Sequence, residues 1–391
     1  MRIAYITADP GVPVFGRKGC SIHVQEMLRA MLKCGGQIDL FAANCTSGPP
    51  PDLAAVSLHR FMDAPKGDLA TREQKCLAAN QALRAALEAA GPFGFVYERY
   101  SLWSFAGMEY AQESATAGVL EVNAPLIEEQ TEHRGLIDLA NAERVARRAF
   151  NAAKTLIAVS EEVADHLECF AEAQGKINVV PNAVNPEHYP LDIRPSSLAP
   201  PGTFTVGFVG SMKPWHGVDK LLEAFSRFYE RFPESRLLLV GEGPEREQLV
   251  ADAESRGLAR AVQFTGAVKP CEVPALLASM DVAVAPYPKL ANFYFSPLKV
   301  YEYMAAGRPI VASRVGQLEK LLESEITGLL VAPGDVAALT GALTQIRSEP
   351  AMAQRLGKAA RTKVMANHTW DAAFARILAL ARSNSREHVL S

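Results

Sequence analysis

Lys299 and Glu302 stand three residues apart in the run SPLKVYEYMAAGRPIVAS. On a helix that spacing places both on one face. A helix N-terminus attracts phosphate, and a carboxylate one turn in can accept hydrogen bonds from sugar hydroxyls. The same spacing is more often an exposed Lys–Glu pair, and a ligand that carries both groups is the other reading. A second set of candidates lies upstream in FTVGFVGSMKPWHG: Gly210, Ser211, Lys213 and His216, where Lys213 and His216 add cationic or donor groups. Gly241 and Gly243, in LLLVGEGPE, extend that set. A third set comes from the first half of the chain. Glu98 and Arg99 end one apolar run, and Glu121 and Asn123 end another. Polar residues at the ends of parallel strands line ligand crevices. His133 lies in the polar run EEQTEHRG, and Gly16 and Gly19 lie in the first glycine-containing loop.

The elements that must position these residues are strands and helices in alternation. Residues 298–306 are good helix formers, Pro297 suits the first turn, Gly307 ends the helix and Pro309 keeps it from resuming. PIVAS and DVAVAPY on either side read as buried strands. At the start of the chain IAYIT is a strand, a glycine loop follows, and Ser21 is the expected N-cap of the helix IHVQEMLRAMLKC. The glycine spacing is not G-x-G-x-x-G, so it gives little support to a dinucleotide. FGFVYERY, GVLEVNAP and TLIAVS supply further strands, with helices between them. INVV runs into Pro181-Asn182, and residues 182–202 are Pro- and Ser-rich and aperiodic, as a linker is. FTVGFVG then restarts the strand, glycine loop, helix pattern.

The expected fold class is α/β, with two Rossmann-like parallel-sheet domains facing across a cleft. Residues 1–187 form the first domain, residues 188–368 the second, and residues 369–391 a last helix. A length of 391 residues suits two domains. The net charge of -3 gives no reason to expect a nucleic-acid partner. The six cysteines form no C-x-x-C or Cys/His cluster, and no D-x-D occurs, so no metal site is expected. Asp9 and Pro10 cut short the first apolar run, which excludes a signal peptide reading. No apolar run reaches membrane-spanning length. A cytoplasmic location is expected, with peripheral membrane contact left open.

The run at residues 295–313 resembles the donor-binding motif of the family 4 retaining glycosyltransferases, which have the GT-B fold. Glu302 matches the second of the family's two glutamates, and AAGRPIVAS matches the run that follows it. Tyr294 stands where the first glutamate is usual. Ser296, Pro297, Leu298 and Lys299 fit a family variant with S-P-x-K-x-x-E-Y. VVPNAVNPEHY resembles the family's signature between domains, and the resemblance implies that the last helix, residues 369–391, returns to the first domain. Ser211 and His216 fall where the family usually has Arg and Lys, and Asn123 where a histidine often contacts the donor sugar, with His133 as a possible substitute.

The resemblance implies a retaining hexosyltransferase that moves a sugar from a UDP- or GDP-linked donor to an acceptor hydroxyl, without a cofactor. Glu302, Lys299 and Asn123 would form the catalytic set. Gly210, Ser211, Lys213, His216, Gly241, Gly243 and residues 296–299 would hold the donor, with Glu302 on the ribose and the lysines on the diphosphate. Gly16 and Gly19 would reach donor and acceptor, while Glu98, Arg99, Glu121 and His133 would meet the acceptor. Reaction would be on the front face, with no covalent intermediate and no required metal. A sugar-nucleotide epimerase or hydrolase of the same fold, and a non-catalytic sugar-nucleotide-binding protein, are the alternatives.

Overall fold

Short apolar runs alternate with amphipathic segments along most of the chain, and nearly every run becomes a parallel strand. The computed structural model describes residues 1–45, 47–198 and 202–386. Residues 199–201 of the expected linker and residues 387–391 of the expected returning segment lie outside the described residues.

The chain divides into two compact units. The first holds strands β1 (Arg2–Thr7), β2 (Gln37–Ala42), β3 (Ser57–Arg60), β4 (Phe95–Arg99), β5 (Ala117–Val122), β6 (Thr155–Ala158) and β7 (Ile177–Val179). Its helices are α1 (Gly19–Lys33), α2 (Leu69–Ala90), α3 (Ala106–Glu113), α4 (Leu126–His133), α5 (Leu139–Ala152) and α6 (Glu161–Glu168). The second unit holds β8 (Thr205–Val209), β9 (Arg236–Val240), β10 (Val262–Phe264), β11 (Val282–Ala285), β12 (Ile310–Ser313) and β13 (Leu329–Val331). Around them lie α7 (Val218–Arg231), α8 (Arg246–Ser255), α9 (Val273–Ala278), α10 (Leu298–Ala305), α11 (Gln317–Leu321), α12 (Val336–Ser348) and α13 (Pro350–Asn367). The last helix, α14 (Trp370–Arg386), belongs to the first unit.

Both sheets are parallel. Their strand orders are β3-β2-β1-β4-β5-β6-β7 and β10-β9-β8-β11-β12-β13. In each, the order reverses beside the unit's own first strand, between β1 and β4 and between β8 and β11. Loops at such a switch point part in opposite directions and leave a crevice at the carboxyl ends of the strands. Burial follows the sequence pattern. Val206, Phe208, Leu237, Leu239, Val282 and Val284 of the second sheet are fully buried against Leu221, Leu222, Phe225 and Phe228 of α7. In the first unit Ala4, Ile6, Val96, Leu120 and Val122 pack against Met108, Ala146 and Phe150. On the opposite face of that sheet, α14 sets Trp370 edge-on to His23 at 4.9 Å and Phe374 against Phe95 at 6.4 Å.

Several expectations need correction. Ser21 does not cap α1. The helix begins at Gly19 with Lys18 at the cap, because Lys18 O already accepts the Ser21 and Ile22 amides. Gly19 is thus a helical residue rather than part of the loop. The Pro-rich stretch after residue 45 hides an edge strand, β3, paired to β2 with only His59 partly covered. The division between units falls after Asn182, earlier than residue 187. Its cause is Val184, whose N–H donates to His368 O at 3.0 Å and ties residues 183–187 to the second unit. Among the described residues no helix is long and apolar enough to cross a membrane.

Candidate functional site

The carboxyl ends of β8, β9 and β11 gather most of the candidates of the second unit. Gly210, directly after β8, has φ +146°, and its N–H donates to Val240 O at 2.9 Å. Gly241 has φ +133°, and a Cβ there would lie 2.0 Å from Gly210 O. The loops after β8 and β9 therefore touch backbone to backbone, which only glycine permits. Met212 N–H donates to Glu242 O, and Met212 O accepts Glu245 N–H, both at 3.1 Å.

Lys299 lies beneath this loop. Helix α10 carries it on the face that also bears Tyr303, one turn on. The Tyr303 hydroxyl accepts Val209 N–H at 2.8 Å and is itself buried, which seats α10 against the end of β8. Lys299 is only 8% exposed. Its Nζ lies 4.3 Å from the Phe208 ring centre and 5.3 Å from that of Tyr287. It has no hydrogen-bond partner among the described residues. A Cβ on Gly210 would meet Nζ at 2.7 Å, so the ammonium abuts the glycine backbone itself. Burial lowers its pKa to about 7, with Glu302 pulling the other way. Attraction to the ring faces offsets part of the desolvation. A buried ammonium that lacks an acceptor is costly unless something else satisfies it.

His216 does not serve as a cation. Its Nδ1 lies 2.5 Å from Ser211 O, so Nδ1 carries the proton and donates, leaving Nε2 a bare acceptor. Burial and the nearby Lys299 push its pKa down to about 3. Its ring lies beside those of Phe208 and Tyr287, with centres at 6.2 and 5.8 Å. Ser211 is its carbonyl anchor. Lys213 stacks its ammonium 4.7 Å over Trp215 and is half-buried. Glu302 is half-buried one turn into α10. Helix α7 begins behind Gly217, whose φ of +66° lets the loop lie on Pro286 of the β11 loop.

In the first unit, Thr7, Arg99 and Glu121 form one row across β1, β4 and β5. Gly16 is held by its N–H on Pro13 O, while its own carbonyl accepts from Gln25. Asn123, just past β5, is half-buried, with Oδ1 buried and unpaired. Two expected acceptor residues are internal instead. Glu98 points to the other face of β4, where it accepts from Ser104 at 2.5 Å behind Gly107. Burial raises its pKa to about 7, against the pull of Ser104 and the Met108 amide. Glu121 is buried and bonded to His23 at 3.1 Å. Burial alone would raise its carboxyl, but His23 and then Arg99 outweigh that and leave it lowered. Both carboxylates fail as surface contacts because helices cover both faces of the sheet, α3 over Glu98 and α1 over Glu121. His133 ends α4, exposed, and is not gathered with the rest.

Sequence reasoning missed Phe208, Tyr287 and Tyr303. Their signal was present in the aromatic residues flanking each glycine or lysine of the motif. It also missed a strap. Tyr294, Phe295 and Ser296 pack with the first unit, although the residues on both sides belong to the second. Tyr294, where the family has its first glutamate, donates its hydroxyl to Glu129 Oε2 at 2.9 Å.

Two Rossmann-like parallel-sheet domains, each with a glycine loop at its switch point, define a protein of the GT-B fold. Residues 17–188 match the model described as Glycosyltransferase Family 4, and residues 203–349 match that described as Glycosyl transferases group 1. The chain belongs to the family 4, or group 1, glycosyltransferases. It is 29% identical over 237 residues to a glycogen synthase of Mycobacterium tuberculosis, covering 60% of this chain and 56% of that one. It is 27% identical over 372 residues to a D-inositol 3-phosphate glycosyltransferase of Kribbella flavida, covering 88% and 85%. The chain spans little more than half the glycogen synthase, 56% of its length. Among solved structures, sucrose-phosphate synthase from Thermosynechococcus elongatus superposes with a TM-score of 0.74 at 23% identity, covering 98% of both chains. The Anabaena protein HepE in complex with UDP gives 0.75 at 17%, covering 98% and 100%. At these identities the likeness shows the fold alone.

Proposed function

We propose that this protein is a retaining glycosyltransferase that moves a sugar from a nucleoside diphosphate sugar to an acceptor hydroxyl. The observation that carries the reading is Lys299: a buried ammonium without an acceptor, against the Gly210 backbone at the switch point of the second unit. A diphosphate supplies the missing acceptor. Lys213 adds a second positive charge on the same loop, and Glu302 suits the ribose hydroxyls. His216 is left out of the charge balance, because it is neutral.

The chemistry follows from that balance. The departing nucleoside diphosphate gathers negative charge as the glycosidic bond breaks, and a fixed cation in a poorly solvated site stabilises it more than water does. Lys299 is already in place, so little reorganisation is needed. Attack and departure occur on one face of the sugar, with the leaving phosphate taking the acceptor proton. The inward orientation of Glu98 and Glu121 supports a route with neither as nucleophile. Support for the activity class comes from the names of the relatives at 27–29% identity, both sugar-transferring enzymes. A UDP-linked donor is the first to test, since HepE was solved with UDP.

The test is incubation with UDP- and GDP-hexoses and a panel of sugar and polyol acceptors, with and without chelator. Free nucleoside diphosphate and the product's anomeric centre are read, the latter by NMR. Acceptor-dependent release with retained configuration is expected. An inverted product would overturn the retaining mechanism, and a chelator-killed reaction restored by magnesium would overturn metal independence.

A further inference from the structure

The loop between β8 and α7 is built as a rigid support. Pro214 keeps the residue before it extended, and Lys213 has φ −115° and ψ 153°. Pro214–His216 then make a single 3-10 turn, closed by His216 N–H on Lys213 O at 2.9 Å. His216 ties the turn back to Ser211 O, and Gly217 rests it on Pro286. On such a backbone a lysine side chain still has many rotamers, and ordering them is costly. Trp215 lies two residues on, across the turn. Its ring centre is 4.7 Å from the Lys213 ammonium, and both side chains are half-buried. A ring face attracts the charge as a whole rather than through one N–H, so it orders an ammonium without competing for the hydrogens a phosphate would accept. After burial, Lys299 and then Lys213 hold the His216 pKa down, so both ammoniums lie close to that ring within the second unit.

We propose that Trp215 is a positioning residue: its ring holds the Lys213 ammonium in the place from which Lys213 binds the diphosphate of the donor. This rests on the donor reading given above. With the ring in place Lys213 is ordered before the ligand arrives, and less side-chain freedom is lost on binding. Without it Lys213 samples more positions, and only a fraction of them presents the charge correctly. Apparent affinity falls by that fraction. Trp215 acts through Lys213 and is not itself catalytic. Indole suits the task better than a phenyl ring, because its face attracts a cation more strongly.

The test is calorimetric titration of UDP and GDP into the wild type, Trp215→Phe, Trp215→Leu, Lys213→Met and the double variant of Lys213→Met with Trp215→Leu. Thermal unfolding of each is followed alongside. Trp215→Leu is expected to weaken binding of the nucleotide that the wild type prefers by roughly three- to tenfold, and Trp215→Phe by less. In the Lys213→Met background Trp215→Leu should cause no further loss, because the ammonium it would hold is gone. An equal loss with and without Lys213 would mean that the ring acts on the ligand by itself, and that result overturns the proposal. A merely structural role would lower the unfolding temperature and leave the dissociation constant alone, which overturns it too. If the wild type binds the nucleotide and Trp215→Leu binds it equally well, the role of Trp215 fails and the donor reading stands. If the wild type binds neither nucleotide, both fall.

Discussion

The Tyr303 hydroxyl of α10 accepts the amide of Val209, the last residue of β8, at 2.8 Å. One turn earlier on the same helix face is Lys299. That one bond fixes the height of α10 against the sheet, and so decides that the Lys299 ammonium emerges under Gly210 and between Phe208 and Tyr287. The site is therefore specified by packing of two buried tyrosines and a phenylalanine as much as by the polar residues of the motif.

A pH dependence follows from the Lys299 pKa of about 7. Below that pH the free protein holds the ammonium, and above it the amine. Binding of a diphosphate requires the ammonium, so above about pH 7 binding takes up a proton. Affinity for a nucleoside diphosphate sugar, whose diphosphate does not titrate near neutrality, should fall by roughly tenfold per pH unit there. Titrations from pH 6 to 9 measure it. A profile that is flat or rising in the wild type would contradict the assignment. Stability of the unliganded protein should run the opposite way. The unfolded lysine keeps its proton to about pH 10.4, so stability rises with pH across that interval.

Gly210→Ala should disable the site. Its φ of +146° is strained for any residue with a Cβ, and the added methyl would lie 2.7 Å from the Lys299 ammonium. Strain of about 1–3 kcal/mol is expected, seen as a lower urea midpoint. Nucleoside diphosphate affinity should drop by more than tenfold, measured by calorimetry. Wild-type affinity in a folded variant would show that Lys299 has room to move and is less tightly placed than described.

Much of this was legible in the sequence. Strand and helix alternation gave both sheets, since apolar runs such as IAYIT and DVAVAPY have no other stable use at that length. Gly210, Gly241 and Lys299 were singled out by type and spacing, and the fold brings the three together at the carboxyl ends of β8 and β9. What spacing cannot show is which way a strand residue points when both faces of the sheet are covered. Glu98 and Glu121 were misread for that reason, as adjacent apolar residues give no alternation to consult. The charge of His216 was not legible because it depends on burial and on Lys299, neither visible in SMKPWHG. The strap at 294–296 was hidden because its anchors, Glu129, Ser160 and Asn182, are distant in sequence.

Glu98 offers a check on the inward reading. Its pKa, raised to about 7 by burial, exceeds the unfolded value, so its contribution to stability is full below about pH 4.5 and is lost as pH rises through 7. The loss by pH 8 is roughly 3 kcal/mol. Glu98→Gln keeps an acceptor for Ser104 and cannot ionise. Its urea midpoint should therefore change less between pH 5 and pH 8 than that of the wild type. An identical pH dependence in both proteins would place the Glu98 carboxylate in water.

The most direct measurement is calorimetric titration of the preferred nucleoside diphosphate, and of its parent nucleoside, into the wild type and Lys299→Met. Methionine fills the same space between Phe208 and Tyr287 without the charge. It should raise the unfolding temperature, because the variant no longer buries an unpaired ammonium. The account predicts that the variant loses affinity for the diphosphate by about 1.5–3 kcal/mol, the worth of a charge-assisted contact, while the nucleoside binds as before. Equal losses for both ligands, or no loss for either, would contradict the claim that this buried lysine is the diphosphate site.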